Sequence, residues 1–324
     1  MKPKVFLTRE LPPKVMKRLR QETELEMNTE DRVLTKEEII HGVKGKDALL
    51  CLLTDTIDGD IMNANPALKV IANYAVGFNN IDVAAATQRR IPVSNTPGVL
   101  TETSADLAFT LMTSLTRRIV EADNFVRTGK WKGWGPLQYI GTDIYGATLG
   151  IIGLGRIGKA IAKRAKGFDM NIVYWNRTKL SESEEKELGL TYLPFDELLK
   201  KSDFVSLNVA YNKDTFHLMS KREFDLMKES AYLINTARGP VVDENALVNA
   251  LKEKQIMGAG LDVYEEEPEI NPELLAMDNT VLLPHIASAT IATRTKMGMI
   301  AVDNLLAACN GDQIPNLVNK ESMI

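Results

Sequence analysis

The sequence predicts an α/β protein made of two doubly wound parallel-sheet domains, and three observations support that. Short apolar runs alternate with amphipathic helical stretches along most of the chain, as expected of parallel strands covered on both faces. The 324 residues supply chain enough for about two domains. The run Thr148-Leu149-Gly150-Ile151-Ile152-Gly153-Leu154-Gly155-Arg156-Ile157-Gly158 reads as an apolar strand, a glycine turn and the start of a helix.

Hydrophobic residues make up 44% of the chain and charged residues 25%, so a sizeable core is expected. The formal net charge of −4 argues against nucleic acid or an anionic membrane as the main partner. Met1-Lys2-Pro3-Lys4 leads straight into Val5-Phe6-Leu7 without a signal-peptide core, and the longest apolar run, Ala48 to Leu53, is too short to span a bilayer. Cys51 and Cys309 lie far apart in apolar surroundings and read as small core residues, calling for neither a metal site nor an oxidising compartment. A cytoplasmic location is the expectation.

From the N-terminus, strands are expected at Val5-Leu7, Ala48-Leu53, Val70-Ala72 and Pro92-Ser94. Pro12 to Leu19 and Thr35 to Val43 read as helices, with capping-box spacing from Thr35 to Glu38. Asn95-Thr96-Pro97-Gly98 breaks the pattern and marks a boundary. One long helix is expected from Thr101 to Arg127, with Ala105, Ala108, Leu111, Met112, Leu115 and Ile119 on its apolar face. The segment Gly129-Lys130-Trp131-Lys132-Gly133-Trp134-Gly135-Pro136 then either covers that helix or a subunit surface, or contacts a substrate.

The second domain continues with strands at Asn171-Trp175, Phe204-Leu207, Ala231-Ile234, Gly258-Leu261 and Thr280-Leu283, and helices at Phe195-Lys201, Lys221-Met227 and Glu244-Lys254. The acidic run from Ser181 to Glu187 reads as a solvated helix face. A last helix, Thr290 to Cys309, is too short to be a domain and is expected to return to the first one. The expected division is therefore 1–98 with 290–324, and 99–289.

The glycines carry the first functional signal. In a strand–turn–helix context Gly153 makes the tight turn, Gly155 lets the backbone approach a pyrophosphate, and Gly158 lets helix and strand pack closely. The helix start then aims unpaired N–H groups at the phosphates. About 20 residues on, a site for NAD would place an acidic group on the ribose 2′-OH. Here stand Trp175-Asn176-Arg177-Thr178-Lys179, whose cations and donors suit a 2′-phosphate, so NADP(H) is expected over NAD(H), which stays the alternative.

His41 and His217 fit surface or capping roles. His285 follows an apolar strand in Leu283-Pro284-His285-Ile286-Ala287, where parallel sheets bind ligands, although alone it equally fits a satisfied core group. Arg238, in Asn235-Thr236-Ala237-Arg238-Gly239, suits a planar carboxylate. Glu267, in Asp262-Val263-Tyr264-Glu265-Glu266-Glu267-Pro268, also lies just past a strand.

Those segments, with Tyr74-Ala75-Val76-Gly77-Phe78-Asn79-Asn80-Ile81-Asp82, resemble the D-isomer-specific 2-hydroxyacid dehydrogenases over essentially the whole chain, and within them the glyoxylate and hydroxypyruvate reductases. The resemblance implies a Rossmann dinucleotide-binding domain, a flavodoxin-like substrate domain and an interdomain cleft. It implies Arg238, Glu267 and His285 as the catalytic set: His285 donates the proton, Glu267 favours the charged imidazole, and Arg238 holds the substrate carboxylate. It further implies cofactor contacts from Ser104, Gly153, Gly155, Arg156, Ile157, Gly158, Asn176, Arg177, Thr178, Thr236 and Asp262, the last near the nicotinamide amide. Leu53, Val76, Gly77, Arg238 and Trp134 would bind the substrate, Trp134 from the second subunit of a homodimer.

The chain departs from the family pattern at Asn208-Val209-Ala210, at Ala287 and at Ser104. Ala287 adds a methyl that would narrow the substrate range. The expected activity is NADPH-linked reduction of small 2-oxo acids. The alternatives are an NAD-linked D-lactate-like or phosphoglycerate dehydrogenase, and a corepressor-like nucleotide sensor.

Overall fold

The computed structural model describes residues 1–323, which divide into two compact units, 1–100 with 288–323 and 101–287. In the first unit five parallel strands, β1 (Lys4–Leu7), β2 (Glu24–Met27), β3 (Ala48–Leu52), β4 (Val70–Tyr74) and β5 (Val93–Ser94), line up in the order β2-β1-β3-β4-β5. That order is the flavodoxin-like one. Apolar residues of β1, β3 and β4 fill both faces; on one of them Val5, Leu7 and Leu50 pack with Val15 and Leu19 of the Pro13–Glu22 helix and with Met297, Val302 and Leu305 of the Ile291–Asn310 helix. Thr290 caps that last helix, and Thr35 and Glu38 form the expected capping box on Lys36–Val43.

Strand β2 has no counterpart in the sequence reading. It lies at the sheet edge with side chains alternately exposed and half-buried, so Glu24-Leu25-Glu26-Met27 never forms the apolar run that betrays a central strand.

The second unit holds seven parallel strands: β6 (Thr148–Ile152), β7 (Asn171–Trp175), β8 (Thr191–Tyr192), β9 (Phe204–Leu207), β10 (Tyr232–Asn235), β11 (Gly258–Leu261) and β12 (Thr280–Leu282). Their order, β12-β11-β10-β9-β6-β7-β8, is the Rossmann order 3-2-1-4-5-6 with one strand added. The chain reverses its direction of travel across the sheet between β6 and β9. Ligands bind at the carboxyl ends of strands at such a switch point.

The expected long helix is two helices, Thr101–Thr116 and Ile119–Arg127. The carbonyl of Thr116 accepts from the N–H of Thr142 instead of from a further helical turn, and Arg118 takes a left-handed φ of 51°. Ala105, Ala108, Leu111, Met112 and Leu115 are buried as expected. Ile119, past the break, is 53% exposed.

Candidate active site

At the turn after β6, Gly153 adopts a φ of +93°, and a Cβ there would lie 2.7 Å from the main chain of Asn208. A Cβ on Gly158 would lie 2.4 Å from the carbonyl oxygen of Gly153, so the Arg156–Ala165 helix can approach the strand only through a glycine. Around Gly155 no atom lies within 4 Å of that position. Gly155 is the N-cap of the helix, no side chain caps it, and the N–H groups of Gly155, Arg156 and Ile157 make no hydrogen bond among the described residues. Two glycines are thus required by packing and the third by whatever occupies that space. The three fit a pyrophosphate.

At the end of β7 the Asn176 amide donates to the carbonyl of Thr178 at 3.1 Å and shapes the turn. Arg177 is exposed and makes no ion pair among the described residues. Lys179, expected to share its role, is engaged elsewhere: its ammonium lies 3.6 Å from Glu185 and over the ring of Tyr192. That leaves Arg177 as the cation of this turn.

Arg238, Glu267 and His285 occupy the loops that follow β10, β11 and β12. Nδ1 of His285 lies 2.8 Å from Oε2 of Glu267. The other oxygen of Glu267 accepts from the N–H of Tyr264 at 3.1 Å. Burial works to raise the Glu267 carboxyl, but the hydrogen bond and charge of His285, that N–H and the Arg238 charge hold it below its usual range. Arg238 is partly buried, and this desolvation pushes its guanidinium down against the opposing pull of Glu267. It stays a cation, because arginine does not deprotonate in proteins.

Asp262 is buried completely, and its two oxygens accept from the N–H groups of Ile286 and Ala287 at 2.7 and 2.8 Å. The sequence reading assigned it to the nicotinamide only. The structure gives it a second task, anchoring the loop in which His285 has a φ of 53°. Ser104 is buried, with its hydroxyl 3.4 Å from the carbonyl of Ala287. Thr236 lies in the turn closed by Asn235, whose side-chain oxygen accepts from the N–H of Ala237 and whose amide donates to the carbonyl of Arg238. Sequence reasoning passed over Asn235, although an asparagine opening a strand-end turn is a signal for this kind of bracing.

In the other unit, Leu53, Val76 and Gly77 follow β3 and β4. The carbonyls of Val76 and Gly77 accept from the side-chain amides of Asn95 and Asn73 at 2.7 and 2.9 Å. Their N–H groups make no hydrogen bond among the described residues. Trp134 is 84% exposed.

His217, expected at the surface or as a cap, is only partly exposed, and its Nε2 lies 2.6 Å from Oε1 of Glu265. That contact joins segments 48 residues apart, which no local pattern in the sequence could announce.

A Rossmann sheet with an open glycine cradle, and with an arginine and a carboxylate–imidazole pair on its strand ends, defines a dinucleotide-dependent dehydrogenase. The particular family follows from comparison with known proteins. Residues 109–287 match the model of the NAD binding domain of D-isomer specific 2-hydroxyacid dehydrogenases. The chain is 51% identical to a glyoxylate reductase of Thermococcus litoralis over 99% of its own length and 98% of that protein's. Among solved structures, the TT0316 protein of Thermus thermophilus superimposes with a TM-score of 0.90 at 42% identity, covering 97% of this chain and 99% of that one. An NADPH-dependent glyoxylate/hydroxypyruvate reductase of Sinorhizobium meliloti, in complex with NADP and malonate, superimposes with a TM-score of 0.86 at 34% identity, covering 99% and 98%. The chain belongs to the D-isomer-specific 2-hydroxyacid dehydrogenase family.

Proposed function

We propose that this chain is an NADPH-preferring reductase of small 2-oxo acids, taking glyoxylate to glycolate and hydroxypyruvate to D-glycerate. The observation that carries the reading is the Glu267–His285 pair at 2.8 Å on strand ends of the same sheet as Arg238. The dinucleotide supplies the hydride that reaches the carbonyl carbon. The chain's own groups handle the charge that results.

As negative charge grows on the carbonyl oxygen, His285 donates a proton from Nε2, the nitrogen that Glu267 does not engage. Glu267, held ionised, accepts from Nδ1 and orients the ring for this donation. Arg238 pairs with the substrate carboxylate through its fork of N–H groups and polarises the carbonyl. The N–H groups of Val76 and Gly77, which make no hydrogen bond among the described residues, suit a carboxylate, and Leu53, with Trp134 of a second subunit, is assigned to substrate binding. Gly153, Gly155, Arg156, Ile157 and Gly158 are assigned to the pyrophosphate, and Ser104, Thr236 and Asp262 to the nicotinamide end.

The preference for NADPH is supported by Asn176-Arg177-Thr178, where no carboxylate would repel a 2′-phosphate and the Arg177 guanidinium is unpaired. The Sinorhizobium meliloti relative is NADPH-dependent. A homodimer is supported by the Ile119–Arg127 helix, which buries no residue within the chain, and by exposed Val120, Trp131, Trp134, Leu137 and Ile140 on it and after it. A cytoplasmic setting is supported by both cysteines being free thiols.

The test is oxidation of NADPH and of NADH by the purified protein with glyoxylate, hydroxypyruvate and pyruvate, beside Arg177→Asp. The proposal expects NADPH turnover with the first two acids, and a KM for NADPH raised at least about tenfold in the variant. Equal use of NADH by the wild type would remove the cofactor preference, and turnover confined to pyruvate would remove the substrate assignment. Tight dinucleotide binding without any turnover would favour the sensor reading.

A further inference from the structure

His217 lies on the segment between β9 and the Lys221–Leu226 helix, outside the reacting groups, yet it touches two of the three loops that carry them. Its main-chain N–H donates to the carbonyl of Pro240 at 2.9 Å, two residues beyond Arg238. Its Nε2 meets Oε1 of Glu265 at 2.6 Å, two residues before Glu267. A carboxylate only accepts, so Nε2 carries the proton. The second oxygen of Glu265 accepts from the N–H of Glu244 at 3.2 Å, and the N–H of Glu265 donates back to the Glu244 carboxyl at 2.7 Å. This reciprocal pair ties the β11 loop to the first turn of the Glu244–Lys252 helix. On the other side of the imidazole, Nδ1 lies 4.0 Å from the carboxylate of Asp243, and the ring stacks on Phe216 with centroids 3.9 Å apart. The main chain of His217 has a φ of 48°, a conformation that residues with a Cβ rarely adopt.

We propose that His217 is a positioning residue for the hydride-transfer site: its main chain fixes the Arg238 loop, its imidazole fixes the Glu267 loop, and it thereby sets the two in register. The proposal rests on the reductase reading above, in which those loops hold the substrate carboxylate and orient the proton donor. A merely structural surface pair would have no reason to span both loops from one strained residue. It would also affect melting without affecting the chemical step.

The experiment compares His217→Ala, His217→Gln and Glu265→Gln with the wild type in steady-state reduction, using whichever 2-oxo acid the wild type turns over best. Alongside, hydrogen exchange is measured on the amides of Arg238, Gly239 and Val241 and of residues 264–267. His217→Ala is expected to lower kcat about tenfold, a modest part of what misplacing reacting groups by an ångström costs. The KM for NADPH should stay within about twofold, since the glycine turn at β6 is untouched. His217→Gln, which keeps an N–H for Glu265, should recover most of the loss, and Glu265→Gln should lower kcat if the alanine variant does not fold. Loss of exchange protection in the Glu267 loop, which the imidazole holds, should accompany the loss of kcat.

A folded His217→Ala with kcat within about twofold of wild type, or with the Glu267 loop still protected, overturns the proposal. A wild type that reduces no 2-oxo acid overturns the reductase reading instead, and the exchange measurement then decides the positioning role by itself.

Discussion

Gly239 offers a direct test of how closely the Arg238 and Glu267 loops must approach. A Cβ added there would lie 1.6 Å from the carbonyl oxygen of Tyr264, 1.8 Å from its carbonyl carbon and 2.5 Å from the nitrogen of Glu265. All three are main-chain atoms and cannot swing aside as the end of a side chain would. Ordinary contact begins at 3.4 Å, so Gly239→Ala must part the loops by about 1.8 Å, the difference between 3.4 and 1.6 Å. Overpacking of this kind costs about 1–3 kcal/mol of stability. A shift of about 1 Å in a catalytic group costs on the order of a hundredfold in rate, or about 2.7 kcal/mol of transition-state stabilisation. The variant should therefore lose at least about a hundredfold in kcat/KM for glyoxylate, measured by NADPH oxidation below its melting temperature, while a direct titration shows the dinucleotide still bound. A folded Gly239→Ala within about threefold of wild type would refute the argument, since the loops would then tolerate separation.

Gly155→Ala meets no protein atom and should leave the melting temperature unchanged while raising the KM for NADPH at least about tenfold; Gly158→Ala, whose Cβ would meet a carbonyl oxygen at 2.4 Å, should lower the melting temperature. Glu267→Gln removes the carboxylate that holds Nδ1 of His285, and kcat/KM for reduction should fall at least about tenfold; an unchanged value would count against the pair. Asp262→Ala leaves the N–H groups of Ile286 and Ala287 without their acceptor, and denaturant unfolding should show a loss of about 3 kcal/mol. Asp55 is buried and accepts from Thr8 and the N–H of Leu52; burial raises its carboxyl above the usual range in the folded state. The folded state therefore binds that proton more tightly than the unfolded one, and the contribution to stability is full below the unfolded value and declines as pH rises through the folded one. Asp55→Asn should flatten this fall in a pH series of denaturant midpoints.

What the sequence revealed and what it hid divide along the range of the interactions. The central strands β1, β3, β4, β6 and β9 are covered on both faces, so burial itself makes them continuous apolar runs that can be read without a structure. The glycine turn was legible because each glycine answers a local demand, one for a positive φ and one for a close approach within a few residues. Arg238, Glu267 and His285 were legible as strand-end residues. Their convergence was carried by the resemblance, because a sequence does not state which strands become neighbours. The break at Arg118 stayed hidden because its cause, the Thr142 N–H on the Thr116 carbonyl, comes from a segment 26 residues away. Lys179 looked free for a phosphate until the fold brought Glu185 and Tyr192 beside it.

His217 and His285 share a feature that no pattern of residue types encodes: both hold a left-handed main chain, with φ of 48° and 53°. A non-glycine residue in that region costs on the order of 1–2 kcal/mol, and it persists only where its surroundings over-determine it. Around His285 the determinants are the two oxygens of Asp262 on the amides that follow and Glu267 on Nδ1. Around His217 they are Pro240, Glu265 and the stacked ring of Phe216. In both cases hydrogen bonds to carboxylates, each contributing about 1.5–3 kcal/mol, offset the strain. A relaxed main chain at either position would point its imidazole elsewhere. On the proposed reading, the fold gives up a small part of its stability to aim two rings, one at the site of proton transfer and one at the loops that frame it.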